Sequence, residues 1–138
     1  MIRMFLGTVV GIGTAFLTVW LMQLIGHMAF PPPADLDVED IEAFREYVNT
    51  LPVGALAFVL ASYLIGTFDG VFLACLIARM KYHIFAIIVG GLMLVATISN
   101  LIMIPHPLWF SAASLLGIAA MAVLAAYLAH RTLPRRPE

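Results

Sequence analysis

Charge is what this chain has least of. Asp, Glu, Lys and Arg together make up 11% of its 138 residues, against 63% hydrophobic. A soluble domain is about a quarter charged and about half apolar, and no water-soluble fold of this length hides so much apolar surface. Cysteine is nearly absent. A single residue, Cys75, forms no internal disulfide, and no metal-ligand spacing surrounds it. It is expected to be inert packing. Also lacking are a paired His-Glu-x-x-His helix, a nucleophile elbow and any pair of carboxylates inside the apolar runs. No metal, no cofactor and no catalytic residue is therefore expected, and the chain reads as not an enzyme. Gly11-Ile-Gly13 has no strand before it and sits inside an apolar run, which excludes a nucleotide loop. The basic tail is too short to argue for nucleic acid.

What is present in quantity is long hydrophobic runs. One bilayer crossing takes roughly 20 apolar residues, and the chain offers four such stretches, at about 4–30, 52–79, 82–104 and 108–130. The first is too long for a signal-peptide core, which spans about 7–15 residues, so it is expected to be an uncleaved anchor. Two tight turns, Arg79-Met80-Lys81-Tyr82-His83 and Pro105-His106-Pro107, make the helices they join antiparallel neighbours. The expected fold is an all-α membrane protein, a single domain of four antiparallel transmembrane helices over 1–138.

Residues 31–51 form the only polar stretch between spans. Pro31, Pro32 and Pro33 end the first helix. Val38, Ile41, Phe44, Tyr47 and Val48 recur at helical spacing, and Asp37 with Asp40 resembles a capping box. A short amphipathic helix lying on the membrane surface is expected, apolar face down. Its acids, Asp35, Asp37, Glu39, Asp40, Glu42 and Glu46, read as a solvated face on the non-cytoplasmic side.

Orientation follows from lysine and arginine in short loops. Arg3, Arg79, Lys81, Arg131, Arg135 and Arg136 fall on one side, and Arg45 alone on the other. Both termini are expected in the cytoplasm, with a bacterial inner membrane as the setting. Trp20, Tyr82, Trp109 and Tyr127 fall near the expected interfaces.

Asp69 is the only acid placed at hydrocarbon depth. A charged Asp there costs about 2.5–3.5 kcal/mol on insertion scales, so it needs a stabilising neighbour. Ala55, Ser62, Asp69 and Leu76 repeat every seventh residue, which turns Asp69 toward the bundle interior. Two roles are open to it: a proton or cation site, or an anchor bonded to Thr14 or Thr18. A second polar group lies nearer the outer face, Gln23 and His27 with Ser99, Asn100 and His106. Depth allows His27, Asn100 and His106 to meet, as a polar pocket or a pH sensor; the alternative is histidines in headgroup water. Gly7, Gly11, Gly66, Gly70, Gly90 and Gly91 lie mostly in the central and cytoplasmic part, where small residues draw helices together. Phe16, Trp20, Phe30, Phe58, Tyr63, Met103, Trp109 and Phe110 lie mostly in the outer half. The bundle is thus expected to be pinched below and wider above, with an aromatic-lined crevice. The alternative is that the aromatics fill that space or face lipid.

Three functions fit. The first is a non-enzymatic packing or accessory protein of a membrane assembly, with lipids and itself or a larger membrane complex as partners. The second is a small-solute or proton-coupled carrier or channel using Asp69. The third is a lipid- or quinone-handling protein with an outer-leaflet pocket.

Overall fold

The computed structural model describes residues 1–37 and 39–133. Val38, given a place on the loop helix, and Arg135 and Arg136, counted toward orientation, lie outside the described residues. Every regular element among the described residues is helical: α1 (Ile2–Ala29), α2 (Ile41–Thr50), α3 (Val53–Ala78), α4 (Tyr82–Met103) and α5 (Leu108–Thr132). Four of them, α1, α3, α4 and α5, are long and apolar enough to cross a membrane. Prolines punctuate the chain where the sequence places them. The run 31–33 follows α1, Pro52 opens α3 and Pro107 opens α5. A proline's fixed φ suits a helix entrance, and its missing N–H costs nothing there.

Glycine brings α1 and α3 into backbone contact. A methyl group built on Gly11 would lie 2.6 Å from the Gly70 carbonyl oxygen, and one on Gly70 would lie 2.6 Å from that of Gly11. Gly7 faces Ala74 and Ala78, and Gly66 faces Ala15 and Val19. Gly26, further along α1, meets Phe58, nearer the start of α3. The close contact on α3 runs along Gly66, Gly70, Ala74 and Ala78, in steps of four. Of the expected seven-residue seam, Ala55 and Ser62 are buried, whereas Asp69 and Leu76 are half-buried. A ridge of small residues four apart allows backbones to touch, and it leaves Asp69 to one side, half-buried.

The start of α4 contains one wide turn, Ala86–Gly90, with π geometry. Such a turn inserts an extra residue and shifts the phase of the helix. Val89 and Gly90 both face inward as a result, and a methyl on Gly90 would press at 2.6 Å on the Cβ of Ala122 in α5. Gly91 differs from the packing role expected of it: nothing lies within 4 Å of a methyl built there, because it is turned away from α5. Gly117 of α5 in turn receives Leu64 of α3. The buried core, with Val71, Phe85, Phe110 and Ile118 at its centre, lies among α3, α4 and α5. α1 exposes Phe5, Val9, Leu17, Trp20 and Ile25 on its far side.

The end of α5 lies near the α3–α4 turn, where the Tyr82 hydroxyl donates to the Leu133 carbonyl at 3.3 Å. Tyr82 is buried, whereas Trp20, Trp109 and Tyr127 are exposed. At the opposite end, Asp40 caps α2 by accepting from the N–H groups of Glu42 and Ala43. Asp37 instead accepts from Glu39 N–H in the preceding turn, so the cap lies three residues later than the expected capping box. Arg45 of α2 donates from Nε to the Met103 carbonyl at the end of α4, 2.9 Å, and pairs with Glu42. That bond ties α2 down over the helix ends, and it satisfies a carbonyl that a helix terminus leaves open.

Candidate functional site

Beneath α2 lies a cavity of about 470 Å³. Its roof is the apolar face of α2, with Phe44, Tyr47 and Val48 turned inward together with Leu51. Part of the face expected to rest on lipid thus lines this cavity, while Ile41 of the same face is exposed. Gln23, His27 and Phe30 of α1 supply one wall, and Ala55, Phe58, Val59 and Tyr63 of α3 another. Asn100 and Ile104 at the end of α4, and His106 in the following turn, complete the lining.

The polar groups converge on one hydroxyl. Tyr63 is 8% exposed. Its oxygen accepts from the Asn100 amide at 3.0 Å, and the Gln23 side chain approaches it more loosely. One phenol thereby joins α1, α3 and α4. The fourth span contributes Phe110, which meets the Tyr63 ring edge-on with centroids 6.4 Å apart. Phe110 also stacks on His106 at 4.8 Å. The His106 Nδ1 lies 2.7 Å from the Ile104 carbonyl oxygen. An N–H must sit on Nδ1 to make that bond, so Nε2 of the neutral ring is an acceptor. Burial holds the His106 pKa below the ordinary 6.5, and the bond to Ile104 only partly offsets this. Among the described residues, no Asp, Glu, Lys or Arg lines the cavity. Arg45, on its roof helix, is already engaged by Met103 and Glu42.

No protein family, characterised protein or solved structure matches this chain. What the site does must be argued from its own chemistry.

Of the residues singled out in the sequence, Gln23, His27, Asn100 and His106 meet at this cavity. Ser99 does not. It is exposed and donates to the Val95 carbonyl of its own helix. Among the expected crevice aromatics, Phe30, Phe58 and Tyr63 line the cavity and Phe110 backs it, but Phe16, Trp20, Met103 and Trp109 face outward. Asp69, Thr14 and Thr18 are not brought together. All three are half-buried, none makes a hydrogen bond or ion pair among the described residues, and none lines the cavity. No group of three or more metal-ligating side chains occurs among the described residues.

Two contributions escaped the sequence reading. Tyr63 counts there only as an aromatic ring, yet its hydroxyl is the hub. Its position one turn from Val59 on α3, at the depth of Asn100, is the signal that was there to use. The roof formed by Phe44 and Tyr47 has no sequence signal, because an amphipathic face looks the same whether it covers lipid or protein.

Proposed function

We propose that this chain is a non-enzymatic multi-pass membrane protein that holds a small amphiphile in the cavity beneath α2. In this reading the four spans form an antiparallel bundle with both termini in the cytoplasm. The membrane is the bacterial inner membrane, and α2 lies at its outer surface. The short turns and the distribution of Arg and Lys support that orientation. The observation that carries the function is the cavity itself, about 470 Å³, with apolar walls and a few convergent polar groups at one place. That combination is what sites for small ligands have in common. Its position at one end of the helices suits an amphiphile entering from lipid.

The test is retention of native lipid by protein purified in mild detergent, read by native mass spectrometry. Wild type is expected to carry a bound species that Ala55→Leu, which places a larger side chain in the cavity, does not. Equal adducts on both proteins would end the proposal.

The accessory reading has one observation of its own. Asp69 of α3 and Thr14 and Thr18 of α1 are half-buried and without partners among the described residues, and unsatisfied polar groups are costly in lipid. A neighbouring subunit seated there would supply bonds. The carrier reading gains less, since the cavity does not reach Asp69.

A further inference from the structure

From the chemistry of the lining we infer that the occupant is an uncharged, ring-headed amphiphile with carbonyl oxygens, of the quinone class, and that the Tyr63 hydroxyl and Asn100 amide bind its head. This rests on the cavity being a ligand site, and it narrows what that ligand is.

Charge decides first. A phospholipid headgroup carries a phosphate, and removing an anion from water requires a cation or several strong donors. Among the described residues the lining offers no Lys or Arg, and the Arg45 guanidinium on the roof helix is held by the Met103 carbonyl and Glu42. An acidic head finds no permanent cation to pair with, while a neutral head meets no such penalty.

The available hydrogen bonds decide next. Tyr63 accepts from Asn100 and, more loosely, from the Gln23 amide, which leaves its own O–H proton to give. An amide carries two N–H donors, and Asn100 has used one of them. These groups sit together at the cavity wall, so a carbonyl oxygen there receives donors that are already positioned. His106 offers the opposite chemistry. With its Nδ1 proton committed to Ile104, Nε2 accepts, which suits the hydroxyl of a reduced, quinol form. The same pocket thus accommodates either form of the head.

Shape agrees. Phe30, Phe44, Tyr47 and Phe58 present ring surfaces to a flat head, and aromatic rings favour stacked or edge-on neighbours. A volume of about 470 Å³ fits one ring with the first part of a tail, but not a headgroup with two acyl chains.

The experiment offers purified protein a short-tailed benzoquinone and, separately, phosphatidylglycerol, each at the same mole fraction in detergent. Retention is read by native mass spectrometry. The quinone carbonyl stretch, read by isotope-edited infrared spectroscopy, reports hydrogen bonding directly. The quinone is expected to be retained over phosphatidylglycerol, with its carbonyl band shifted to lower frequency. Tyr63→Phe is expected to weaken retention about tenfold and to reverse much of the shift. If that variant does not fold, the band position in wild type decides alone. Retention of phosphatidylglycerol with exclusion of the quinone overturns this inference and leaves the cavity a ligand site. Retention of a quinone with an unshifted carbonyl overturns the assignment to Tyr63 and Asn100. Retention of neither overturns the ligand-site reading as well.

Discussion

The two ends of the α1–α3 pair are built on opposite plans. Toward the chain termini, Gly7, Gly11, Gly66 and Gly70 let one backbone lie against the other, and a single methyl group would collide with a carbonyl oxygen. Toward α2 the glycines face rings instead. Gly26 meets Phe58, with 3.0 Å to a built methyl, and Gly54 meets Phe30 at 3.5 Å. One end is closed by contact between main chains. The other is held apart by side chains, and a cavity opens among them. In lipid, helices gain nothing from hiding apolar surface from one another, so close packing at one end compensates for the looser end. The difference teaches that a pocket in a small bundle needs a clamp elsewhere in the same helix pair.

The largest effect should come from the clamp. Gly70→Leu would drive a side chain into the Gly11 carbonyl, where neither backbone can give. Destabilisation of about 3 kcal/mol or more is expected, seen as loss of monodisperse protein or a large fall in Tm. Gly91→Ala, in open space, is the control and should be neutral or slightly stabilising. If both changes are tolerated, the contrast between the two ends is not what holds the pair together.

Asp69 tests whether the isolated chain is the whole unit. It has no partner among the described residues, so Asp69→Leu is expected to stabilise purified monomer by about 2 kcal/mol, measured by thermal unfolding in detergent. A clear loss of stability would mean that another subunit or bound water satisfies this carboxylate.

The open end should behave in the opposite way to the clamp. Ala55→Leu adds bulk to a cavity instead of to a contact, so its Tm is expected to hold or rise slightly, with a change of under about 2 kcal/mol. A collapse like that of Gly70→Leu would show that the cavity end is as tightly packed as the other.

The smallest expected effect is on pH. His106 has its pKa lowered by burial, so the unfolded chain binds its proton more readily than the folded one. Stability then falls as pH drops below the ordinary value of 6.5 toward the depressed folded value. His106→Gln should flatten that part of the profile. An unchanged slope would place the acid sensitivity elsewhere.

Much of the fold was legible because each of the four apolar runs is long enough by itself to fix a spanning helix, and prolines mark their ends. The shared depth of Gln23, His27, Asn100 and His106 was legible as well, since depth in a membrane follows from counting residues along a helix; whether they meet in a pocket or sit in headgroup water was left open by the sequence. The facing of Asp69 was not. A seven-residue and a four-residue repeat both pass through this stretch of α3, and only contact with α1 selects between them. Gly90 and Gly91 make the same point. They are identical neighbours in the sequence, yet they sit at the end of a wide turn that points the first at Ala122 and leaves the second in open space.

The sequence by itself determined the number of long apolar helices, because hydrophobic length is a property of each segment alone. It also determined which polar residues share a depth. Only the tertiary structure decided that α2 folds inward as a roof, that Tyr63 is the hub, and that a chamber remains between the helices. Those outcomes depend on which side chains oppose one another across a gap, and opposition is a property of pairs that no single stretch of chain contains.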